Sequence, residues 1–61
     1  MNDELKQLME QLGGALEMNQ YIGEIYNNDK GDTDARVALS FNASAVQTLT
    51  DAIKDNVVLP D

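Results

Sequence analysis

The chain has 61 residues, eleven acidic against four basic, with no cysteine and no histidine, which gives a formal charge of −7 on a mass of 6.7 kDa. That length admits one domain with a thin core; the missing Cys and His exclude disulfides, thiolate metal sites and the commonest transition-metal ligand, leaving self-association as the expected staple. A charge of this sign repels phosphates and anionic headgroups, so no direct nucleic acid and no membrane is expected as a partner, and the expected target is a basic surface of another protein; the plain alternative is that the charge serves solubility.

No apolar run approaches the ~18 residues of a membrane span, and Met1-Asn2-Asp3-Glu4 is acidic where a signal peptide is basic, so the expected compartment is the cytoplasm. From there Leu5, Leu8, Leu12, Ala15, Ile22 and Tyr26 follow steps of three and four, the seam of a helix that packs on a partner. Leu5, Leu8, Leu12, Ile22 and Tyr26 are accordingly the candidate oligomer interface. Asp3, Glu10, Glu17 and Glu24 recur every seven residues opposite that seam, an acidic stripe and the candidate partner-binding surface. Asn2 is placed to cap the helix, and Asp3 and Glu4 sit in its first turn, where the helix dipole favours carboxylates.

Gly13-Gly14 and Gly23 oppose one long helix. Residues 13–27 therefore admit two readings: a helix from about residue 3 to about residue 20, bent at the glycine pair, or a helix ending at Leu12 with a strand from near Leu16; poor alternation across Leu16 to Tyr26 favours the first. After Gly23, residues 24–27 can be extended, and Asn28-Asp29-Lys30-Gly31-Asp32-Thr33-Asp34 is a polar, turn-forming loop. Next, Val37, Leu39 and Phe41 alternate with Arg36, Ala38 and Ser40 as in a half-buried strand, with Phe41 expected in the core. A hairpin of residues 22–27 with 35–41 follows. Asn42 or Ser44, the latter forming a capping box with Gln47, then opens a second helix carrying Val46, Leu49, Thr50 and Ile53 and ending by Asn56. The oily Val57-Val58-Leu59 tail and Pro60 close the chain.

The expected class is α+β, a single domain over residues 1–61 in helix–β-hairpin–helix order (αββα), with the marginal two-stranded ribbon completed by homodimerisation. Candidate catalytic groups fail one by one. Asp29, Asp32 and Asp34 share a watery turn rather than a pocket. An EF-hand register on Gly31 puts Tyr26 and Lys30 where oxygen ligands belong. Ser40 and Ser44 lack a histidine to activate them, and no phosphate-binding glycine motif is present. No catalytic residue, metal or cofactor is therefore expected. Of the three aromatic residues Tyr21, Tyr26 and Phe41, an exposed tyrosine would serve as an interface anchor.

The preferred function is a non-enzymatic module that binds and modulates or inhibits a partner protein through its acidic stripe, in the style of small acidic phage-encoded inhibitors of host nucleic-acid or defence enzymes, an analogy resting on size and charge. The alternatives are an accessory subunit docking through the seam and tail, and an oligomeric sponge for a small ligand.

Overall fold

In the computed structural model, which describes residues 3–57, the seam from Leu5 to Tyr26 belongs to one unbroken helix, α1 (Asp3–Asn28). A turn at residues 29–32 reverses the chain into a second helix, α2 (Thr33–Asn56). Among the described residues there is no strand, so the α+β class and the αββα order give way to an all-helical antiparallel hairpin.

Each departure has a local cause. Gly23 does not stop α1, which runs on to Asn28; its cost of ~1 kcal/mol against alanine is small beside the packing of a 26-residue helix on its neighbour. The alternation of Val37, Leu39 and Phe41 comes from one residue turned towards α1, the half-buried Leu39, and two that are exposed, Val37 and Phe41. Three alternate apolar residues also fit a helix, and the alanines at 35, 38, 43, 45 and 52 are strong helix formers. Phe41, expected in the core, is instead the most exposed large apolar side chain at 73%.

The start of α2 lies ten residues before the expected Asn42 cap. Asp32 caps it, its carboxylate accepting from the Ala35 N–H at 3.0 Å, with Asp34 in the first turn. Asn42, Ser44 and Gln47 are therefore mid-helix, and Gln47 donates to Asp51 one turn on at 2.9 Å instead of forming a capping box. Val57 ends α2, its N–H bonding the Ile53 and Lys54 carbonyls. The expected Asn2 cap and the Val58-Leu59-Pro60 part of the tail lie outside the described residues.

The second seam has the same spacing as the first: Ala35, Leu39, Asn42, Val46, Leu49, Ile53 and Asn56 step by four and three. The antiparallel hairpin sets the two seams against each other, and the Asn42 side chain reaches across to the Ala15 carbonyl at 3.1 Å. Both seams are half-buried, and Ala35 beside the turn is the sole fully buried apolar residue among those described. Two helices shield only one stripe of each other. The molecule is a rod of 47 × 18 × 14 Å with a radius of gyration of 14.3 Å, where a globule of this length has about 10.5 Å.

Candidate functional site

At 100° per residue the four acids of the stripe lie on the back of α1, away from α2, and all four are exposed. Successive members stand about 10.5 Å apart along the axis. The two halves of the stripe differ. Lys6 shares a shallow depression with Asp3, Gln7 and Glu10, which lowers the negative field at the first turns, whereas Glu17 and Glu24 have no cation within a turn along α1. The charged ladder is thus strongest from Glu17 towards the turn.

The remaining helix-borne cations, Arg36 and Lys54, fall on one broad face of the hairpin, the side that carries Met9 and Leu16 on α1, while Lys6 stays on the back of α1 beside the first acids of the stripe. Lys30 lies in the turn, its ammonium 5.4 Å from the Tyr26 ring centre.

Leu5, Leu8, Leu12, Ile22 and Tyr26, read as an oligomer interface, occupy the side of α1 turned to α2 and are half-buried there within one chain. Two polar residues that the sequence reading did not place in the seam also belong to it. Asn19 and Asn42 are both half-buried. The Asn42 amide nitrogen donates to the Ala15 carbonyl at 3.1 Å, while its oxygen is buried without a hydrogen-bond partner. A polar residue at a seam position fixes register at a cost in stability. Continuing the step of three and four past Ala15 would have found Asn19; Asn42 was hidden because its helix was read as starting there.

The turn acids are structural. The Asp29 carboxylate accepts from the Gly31 N–H at 3.0 Å, the Asp32 N–H donates to the Asp29 carbonyl at 3.0 Å, and Asp32 caps α2. Among the described residues no group of three acidic side chains is placed to hold a metal ion, and no helix is long and apolar enough to cross a membrane. An open groove of about 310 Å³ lies beside the turn, lined by Ile22, Ile25, Asp32, Asp34, Ala35 and Ala38. Comparison with protein-family models, with curated proteins and with solved structures finds no match.

Proposed function

We propose that this chain is a non-enzymatic interaction module, a helical hairpin that sets the acid ladder of α1 against a basic surface on another protein and so modulates or blocks it. The observation that supports this reading is the position of Asp3, Glu10, Glu17 and Glu24 on the exposed back of a helix whose other side is engaged by α2. Packing on α2 holds the ladder in one conformation, so its charges are ordered before a partner arrives, which lowers the entropy lost on binding.

Spacing narrows the kind of partner. Duplex DNA carries one charge per about 1.7 Å, against one carboxylate per about 10.5 Å here. The stripe is too sparse to imitate a whole duplex, but its repeat is close to three phosphate steps on one strand, about 10.2 Å. A groove with a few cations spaced along one strand of its nucleic-acid ligand suits it best. Enzymes that process nucleic acid in the cytoplasm, including the host targets of phage inhibitors, carry such grooves.

The test is capture from an extract of the source cell with the immobilised wild-type chain and with Glu10→Gln/Glu17→Gln/Glu24→Gln, which keeps shape and removes three charges. Wild type should retain one or a few basic proteins that the triple variant holds at least ~10-fold more weakly. Equal retention of the same proteins by the variant contradicts the proposal.

A further inference from the structure

The broad face opposite Arg36 and Lys54 is apolar and open. Residues next to each seam on that side are Met18 and Ile25 on α1 and Ala38 and Ala45 on α2, with Tyr21 and Phe41 flanking them level with one another. Their exposure is unusual for apolar side chains: Tyr21 63%, Met18 52% and Ile25 37%, besides the outward Phe41. The groove lined by Ile25 and Ala38 opens on this same side. We infer that this face is the contact between two copies of the chain, which pair through it into a four-helix bundle.

Three observations select a second copy as the occupant. First, a compact monomer of 6.7 kDa exposes about 3,900 Å², whereas this chain exposes 4784 Å². The excess is about 900 Å², close to the ~800 Å² each partner gives to a standard interface. Second, the chain carries −7, so two copies repel wherever their acids meet. Along the middle of this face, residues 11, 18 and 25 of α1 and 38, 41, 45 and 52 of α2 are all uncharged, and Tyr21 stands at its edge between Glu17 and Glu24. Its acids, Glu4, Asp34 and Asp55, stand at the ends of the rod.

Third, a helix in a four-helix bundle buries its seam and one flanking row. Here Met18 and Ile25 on one helix and Ala38, Ala45 and Ala52 on the other fall on the same side of the hairpin, whereas the opposite flank of α1, with Met9 and Leu16, faces the side that carries the cations Arg36 and Lys54. The alanines permit close approach, and the large side chains of the other helix fill the space above them. A two-fold axis lets one patch serve both chains and closes the assembly at two. Tyr21 stands between Glu17 and Glu24 at the edge of the acid ladder, so the ladder borders the bundle; sedimentation reads pairing and partner capture reads the ladder, which keeps the failure of this inference distinguishable from that of the proposed function.

The experiment is sedimentation equilibrium of the full chain from low micromolar to submillimolar concentration, with thermal unfolding followed in parallel. Wild type should weigh twice the 6.7 kDa chain and melt at a temperature that rises with concentration. Tyr21→Glu/Phe41→Glu should raise the dissociation constant by at least ~100-fold. Met9→Glu/Leu16→Glu, the matching change on the other face, should leave it within about threefold. If the charged pair also lowers helix content, Phe41→Ser, which adds no charge, should still weaken pairing ~10-fold or more with helicity kept at high concentration. A wild-type chain that stays monomeric, with a concentration-independent melt, overturns the inference and leaves the face to another partner. So does a dimer disrupted by the Met9/Leu16 pair, or one that Tyr21→Glu/Phe41→Glu leaves intact.

Discussion

Replacing Asn42 by leucine should stabilise the hairpin. In the folded chain the Asn42 amide oxygen is buried without a partner, which carries a desolvation cost of roughly 1–3 kcal/mol. Against that stands one hydrogen bond from its nitrogen to the Ala15 carbonyl, a net ~1 kcal/mol. That carbonyl lies inside α1, where a backbone N–H one turn on also serves it. A leucine at this half-buried seam position adds about half of the 1.5–3 kcal/mol that full burial supplies. The sum is a gain of about 2 kcal/mol, or a rise in Tm of roughly 8–16 °C for a domain of this size. Far-UV circular dichroism melts at one fixed protein concentration read it directly. Asn42→Ala, which removes the orphan oxygen without adding packing, should change Tm by less than half as much. A lower Tm for Asn42→Leu would refute the reasoning, because it would mean that the oxygen is satisfied in solution and that the amide contributes net stability.

Asp32→Ala should lower stability by about 1 kcal/mol through loss of the cap on the Ala35 N–H, while Asp32→Asn, which caps equally well, should match wild type in the same melts. Gly13 is exposed in mid-helix and a methyl group there meets nothing within 4 Å, so Gly13→Ala should raise stability by about 1 kcal/mol, seen as a Tm increase of roughly 4–8 °C and a higher helix signal. Gly23→Ala, in equally open space, should act in the same direction; a decrease in either variant would show that the glycine serves a contact absent from the isolated hairpin.

The first helix was legible to about residue 20, because leucines fill Leu5, Leu8 and Leu12 of its seam and acids fill the opposite row, while Gly23 made its last turns, residues 22–27, look like a strand. The second was not. Its seam mixes Ala35, Leu39, Asn42, Val46 and Asn56, so the apolar period is diluted by alanine and amide, and the eye is drawn to Val37 and Phe41, which point outward. A chain that leaves Tyr21 and Phe41 exposed and places asparagine in its seam inverts the usual rule for core residues, which is why the alternation over 35–41 read as a strand. The cap was misplaced for a related reason: Asp32 lies in a run of turn-forming residues, any of which could open a helix, and only the position of Ala35 against α1 selects it. Of the candidate surfaces, the acid stripe could be read from spacing alone. The apolar face could not, since it is assembled from both helices and exists only once the turn at residues 29–32 has set their register.

The most direct test of the functional account is the salt dependence of binding to a captured partner, measured for wild type and for Glu10→Gln/Glu17→Gln/Glu24→Gln. If ordered carboxylates do the recognising, wild-type affinity should fall at least ~10-fold between low and physiological ionic strength, as the screening length shortens to about 8 Å. The triple variant should bind weakly with a much flatter dependence. Equal affinities with equal slopes, or a wild-type complex indifferent to salt, would contradict recognition by charge.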